Sequence, residues 1–173
     1  AARLLTFRSF TEENEDMKIA VEVPEIETIE QDTGGLADSI NQEIYRLCLE
    51  YAEGAKKRAV EYREAFLATG GTKEEWAAHN IEIWVWYELK SQTADRISFV
   101  VQGTENWSSA YNEGKYYNLD LKNGKRLSLK DILGEDYKKI ADDAVRSQIP
   151  EKERETGVKF WKAEEGGFEG ITD

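Results

Sequence analysis

Apolar and polar residues alternate with period two over Met17–Ile26: Met17, Ile19, Val21 and Val23 share one face, and Lys18, Ala20 and Glu22 the other. That is the pattern of a half-buried strand, and Pro24, which has no N–H to donate, confines its end to an edge or bulge. Gly34-Gly35 breaks the extended phase. From Leu36 the period lengthens, and Leu36, Ile40, Ile44, Leu47, Tyr51, Ala55, Ala59, Tyr62 and Phe66 recur every three or four residues. This predicts one long helix over 36–66, with Asp32 and Thr33, or Asp38 and Ser39, as candidate N-caps and Thr69-Gly70-Gly71 as its stop. Thr72 with Glu75 three residues later predicts a capping box for a short helix through Trp76 and Ala78.

Period two returns in IEIWVWYELK, residues 81–90, which places Ile81, Ile83, Val85, Tyr87 and Leu89 on one face and Glu82, Trp84, Trp86 and Glu88 on the other. After the turn SQTAD, RISFVVQG sets Ile97, Phe99 and Val101 inward, so the two runs read as an antiparallel pair whose aliphatic face the long helix covers. Trp84 and Trp86 fall on the opposite face. Packing against the terminal segments or against the helix near Tyr137 competes there with a binding patch. The polar loop 104–115 carries Trp107 and Tyr111, which serve either as binding residues at a loop tip or as a staple holding the loop to its sheet.

A strand, a turn and a helix follow in YYNLDLKNGKRLSLKDILGEDYKKIADDAV, from Tyr116 to Val145. Tyr117, Leu119 and Leu121 alternate with polar neighbours, Asn123-Gly124 is a strong hairpin signal, and Leu127 and Leu129 resume the apolar phase before Asp131, a candidate cap. Helices are expected over 129–133 and 137–149, a break at Pro150 and the run EKERE, and a short strand at 158–161. The fold class is therefore α+β: an antiparallel sheet with one long helix packed across it and a second helical segment after the central hairpin. Residues 1–16 read as a lead-in, a juxtamembrane remnant entered in mid-segment, and 17–173 as a single sensor or binding domain.

Composition narrows the function. The 40% hydrophobic and 34% charged content is that of a globular domain. A net charge of −12 argues against nucleic acid and against unaided docking on anionic lipid, and favours a basic partner. Cys48 is the only cysteine, set between apolar helix positions, and reads as a buried inert thiol. His79 is the only histidine, which excludes a zinc site of two or more histidines and leaves no triad arranged by sequence. It reads as a helix-end or strand-entry residue. The acidic run TEENED reads as solvated, and no phosphate loop is present. No enzyme activity, metal or cofactor is expected, and no apolar run approaches the ~18 residues of a membrane span.

The series Asn118-x-Asp120-x-x-x-Gly124-x-x-Leu127-x-Leu129-x-Asp131, with Tyr137 beyond it and the preceding order of strand, long helix and paired strands, resembles the extracytoplasmic domain shared by RsiV-type membrane-anchored anti-sigma factors and the N-terminal part of PdaC-type peptidoglycan deacetylases. The resemblance spans residue 17 to the C-terminus, where the family continues into a further aromatic-rich strand pair, so it implies a C-terminal truncation here. It further implies a sensor or binding module outside the cytoplasmic membrane, anchored or secreted in its parent protein, which in the best-known members recognises lysozyme and releases a sigma factor. The expected partner is then a cationic protein such as lysozyme, with Trp107, Tyr111, Trp84 and Trp86 as candidate ligand-binding residues. The alternative is an accessory domain of an envelope deacetylase that binds cell-wall glycan.

Overall fold

The computed structural model describes residues 5–27, 34–107 and 112–172. Contacts divide the chain into two compact units, Ala1–Arg126 and Leu127–Asp173, where the sequence reading has a single domain from residue 17. The reason lies in burial: every core residue among those described falls at or before Leu121, and the helices of the second unit bury none.

The first unit is α+β. Its six strands, β1 (Leu5–Glu13), β2 (Met17–Ile26), β3 (Ile81–Gln92), β4 (Arg96–Glu105), β5 (Asn112–Asp120) and β6 (Lys125–Arg126), lie in the sheet in chain order. All neighbours are antiparallel except β2 and β3, which run parallel from Met17–Ile81 to Val21–Val85. A parallel pair needs a crossover, and the long helix α1 (Leu36–Ala68) with the short α2 (Lys73–Ala77) supplies it. The helix thereby comes to lie on the aliphatic face, as its period predicts. Ile40, Ile44, Cys48, Ala52, Ala55 and Ala59 form its buried stripe. They pack with Ile19, Val21, Ile83, Val85, Phe99, Val101, Tyr117 and Leu119 of the sheet in one core, and the three alanines let the helix axis approach closely.

Several expectations change. Residues 5–13 are not a lead-in but the edge strand β1, paired with β2 along its whole length; a single residue of it, Leu5, is buried, too little to print an alternation on the sequence. The acidic run that follows is tied down. Asn14 Oδ1 accepts from the N–H groups of Asp16 and Met17 at 2.9 and 3.0 Å, an Asx turn, while Glu12 and Asp16 pair with Lys56 and Arg63 of α1 at 2.6 and 2.7 Å. Pro24 lies past the last β2–β3 pair, where its missing N–H breaks no ladder on that side. The N-cap of α1 is Gly35, without a side-chain cap bond; Asp38 sits in the first turn, and Asp32 and Thr33 fall outside the described residues. The capping box of Thr72 and Glu75 forms as expected.

The hairpin after β5 also differs. Asp120 pairs with Lys125, so the turn has four residues, not the two of an Asn-Gly hairpin. Of that dipeptide only Gly124 takes a positive φ, 59°, whereas a two-residue turn of that kind needs it at both positions. Asp120 Oδ1 accepts from the N–H groups of Lys122 and Asn123 at 3.0 Å each, which closes the turn. Strand β6 stops at Arg126, so Leu127 and Leu129 do not extend it.

The second unit holds α3 (Leu129–Leu133), α4 (Tyr137–Thr156) and a 3-10 turn at Ala163–Glu165. Ser128, not Asp131, caps α3; its Oγ accepts from Asp131 N at 3.1 Å and the Asp131 carboxylate accepts from Ser128 N at 2.8 Å. Helix α4 continues through Pro150. Proline withholds only its own N–H from the ladder, and an exposed helix has room for the local adjustment. Residues 158–161 form no strand; Phe160 N donates to Glu153 Oε1 at 3.0 Å instead. The tail is held to α4 by Ile171 N donating to Asp142 at 2.8 Å and Arg146 donating to Glu169 O at 3.2 Å.

Candidate functional site

Because side chains alternate along a strand, the face of the sheet opposite α1 carries the even-numbered residues of β3. These are Glu82, Trp84, Trp86 and Glu88: two half-buried indoles between two carboxylates. Register brings Ala20 of β2 beside Trp84 on one side and Thr104 of β4 beside it on the other. Glu22, one residue past the Val21–Val85 pair, borders the same place. Together Ala20, Glu22, Trp84, Trp86 and Thr104 line an open recess of ≈ 400 Å³. The indole N–H of Trp86 lies 3.5 Å from Thr104 Oγ1. Glu88 is paired with Lys90 at 2.6 Å and the one lysine of β2 on this face, Lys18, with Glu13 at 3.6 Å. Among the described residues no ion pair engages Glu22.

The loop candidates are placed differently. Trp107 turns back onto the helix, its ring stacked on Tyr62 with centroids 5.3 Å apart, and its buried indole N–H has no hydrogen-bond partner among the described residues. Asn106 fixes this start of the loop: its Oδ1 accepts from Glu82 N at 2.7 Å and its amide donates to Asn80 O at 2.8 Å. Tyr111 lies outside the described residues. His79 sits at the end of α2 as expected, with Nδ1 3.0 Å from Glu75 O and its ring against Phe66 and Trp76 at 5.0 and 5.1 Å.

Two carboxylates, the half-buried Glu43 and the buried Glu105, organise the helix side. Glu43 of α1 accepts from the Tyr117 hydroxyl at 3.0 Å and pairs with Lys115 at 2.7 Å and Arg126 at 3.2 Å. Burial acts to raise its pKa, but the hydrogen bonds from Lys115 and Tyr117 and the nearby positive charges outweigh it and lower the carboxyl from 4.5 to about 2. Tyr117, fully buried, is pushed up by burial and by that carboxylate. Glu105, at the end of β4 and 2% exposed, is held by the Arg58 guanidinium, with Nε at 3.1 Å and Nη2 closer, and the Tyr51 hydroxyl lies 3.5 Å away. A second recess of ≈ 310 Å³ opens between α1 and the sheet beside Leu47, Cys48, Tyr51 and Val101. Burial raises the Cys48 thiol to about 12, so it is the inert thiol that its sequence position suggests. Among the described residues, no three His, Cys, Asp or Glu side chains come together as metal ligands, and no helix is long and apolar enough to cross a membrane.

Sequence reading thus finds Trp84 and Trp86 but misses Glu22 and Thr104 beside them. The alternation already puts Ala20 and Glu22 on one face of β2; what it does not carry is that β2 is the neighbour of β3, because that pairing joins residues more than sixty positions apart through a helix.

No family model and no curated protein matches the sequence. The solved structures to which the chain is similar include two members of DUF3298, a family of unknown function. One, from Bacteroides fragilis NCTC 9343, is 17% identical with a TM-score of 0.52, over 94% of this chain and 72% of that one. Another, from Pseudomonas aeruginosa PAO1, is 12% identical with a TM-score of 0.49, over 88% and 69%.

Proposed function

We propose that this chain is a noncatalytic binding domain that works outside the cytoplasmic membrane and recognises a cationic protein such as a lysozyme, in the manner of the sensing part of an RsiV-type anti-sigma factor. One observation carries the binding reading: Trp84 and Trp86 stand between carboxylates on one face of a rigid sheet, beside an open recess. Aromatic side chains supply much of the affinity in protein interfaces, and acidic groups around them select a basic partner. The net charge of −12 acts in the same direction over longer range. The extracytoplasmic setting and the sensor role rest on the resemblance carried by residues 118–131. The same two indoles favour a second reading as the glycan-binding accessory domain of a cell-envelope deacetylase, since the flat apolar face of a sugar ring stacks well on an indole.

Calorimetric titration of the purified chain with a basic lysozyme, an equally basic unrelated protein and a soluble peptidoglycan fragment separates these readings. The expected result is saturable binding of lysozyme that falls at least tenfold in the Trp84→Ala, Trp86→Ala double variant. Equal weak binding of both basic proteins would reduce the effect to charge alone. Binding of the glycan but not of lysozyme would favour the second reading.

A further inference from the structure

The recess beside the tryptophans has the chemistry of a receptor for one particular side chain. It is lined by the aromatic Trp84 and Trp86, the acidic Glu22, the hydroxyl-bearing Thr104, Val85 and the small Ala20. Glu22 has no ion-pair partner among the described residues, and the nearby Lys18 is already paired with Glu13. Apolar aromatic faces next to a free carboxylate suit a cation that is flat, weakly hydrated and carried on an aliphatic stem. A guanidinium meets all three conditions: it stacks on an indole and donates in plane to a carboxylate, whereas an ammonium holds its water more strongly and cannot stack. A recess of ≈ 400 Å³ is ample for such a group and its stem.

We propose that this recess is an arginine subsite, in which a partner's guanidinium stacks against Trp84 and Trp86 and donates to Glu22. The assignment rests on reading this face as the surface that meets a cationic protein, and it names the group that the surface selects.

The test follows the indole N–H resonances of the whole chain by NMR during titration with the amides of N-acetylarginine, N-acetyllysine and N-acetylnorleucine. Arginine should shift the Trp84 and Trp86 signals saturably, lysine at least threefold more weakly, and norleucine not at all. Glu22→Gln should weaken the arginine response at least fivefold, and Ala20→Leu, which adds bulk to the lining, should remove it. An unchanged Trp107 signal, from the indole stacked on Tyr62, reports that each variant is folded. Equal responses to arginine and norleucine, or an arginine response untouched in both variants, would overturn the subsite. Lysozyme binding measured on the same variants keeps the two ideas apart. Loss in Trp84→Ala, Trp86→Ala with full binding in Glu22→Gln rejects the subsite and retains the partner; an arginine response without any lysozyme binding does the reverse.

Discussion

At the scale of single residues, Glu43 makes the clearest claim on stability. Its carboxyl stands at about 2 in the folded chain against 4.5 for a free glutamate. A group whose pKa is depressed by folding contributes stability that is present above its unfolded pKa and is lost as pH falls through the folded one. The contribution of Glu43 should therefore be complete at neutral pH and fade between pH 4.5 and pH 2. Glu43→Gln is expected to cost about 2 kcal/mol at pH 7, since it removes the ionic partner of Lys115 and Arg126 and weakens the bond to the buried Tyr117 hydroxyl. Urea unfolding of wild type and variant across that range is the measurement. A difference that stays constant down to pH 2.5 would show that shape, not charge, makes Glu43 matter. None of this is legible in the sequence, where Glu43 is one of 35 acidic residues; its partners on β5 and β6 meet it only once the sheet is assembled. Cys48 and His79 are legible, because their roles follow from their neighbours along a helix.

At the scale of elements, legibility follows the strength of the periodic pattern. The helix over 36–68 and the strands β2 and β3 are readable from the face they bury, and so is β4, although its Val100, which the alternation points outward, is buried as well; β1 buries one residue and β6 has only two, so neither leaves a pattern. Pro150 misleads in the other direction, since its cost is borne in an exposed helix that tolerates it. The contact between α1 and β4 carries a constraint that no periodicity reveals. Gly103 lies under the ring of Tyr51, and a Cβ at that position would stand 2.4 Å from two ring atoms. The ring is not free to leave, because the Arg58 guanidinium lies over it at 5.8 Å and its hydroxyl faces Glu105. Gly103→Ala should accordingly destabilise the domain by about 1–3 kcal/mol through overpacking. In a Tyr51→Ala background the same change should cost little, giving a coupling of about 1 kcal/mol or more in a double-mutant cycle. Additive costs in denaturant unfolding would mean that Gly103 is needed for its backbone and not for the space above it.

At the scale of the whole molecule, the excess of acidic over basic residues acts before any contact is made. A chain of net charge −12 attracts a basic protein from beyond contact distance, and such attraction chiefly raises the association rate, while contacts of the kind proposed for Trp84 and Trp86 would govern how long a complex lasts. The two contributions respond differently to salt. Raising ionic strength from about 0.05 to 0.5 M shortens the Debye length from roughly 14 to roughly 4 Å, so attraction through solvent is screened while short contacts at the interface are changed less. For a basic lysozyme binding to this chain, association should slow at least tenfold over that range and dissociation change by less than about threefold. Replacing Trp84 and Trp86 by alanine should give the opposite pattern, a faster dissociation with the salt dependence of association retained. Stopped-flow kinetics at several salt concentrations measure both rates directly. If salt instead accelerated dissociation as strongly as it slowed association, the complex would be held by charge alone, and the tryptophan face would have no part in it.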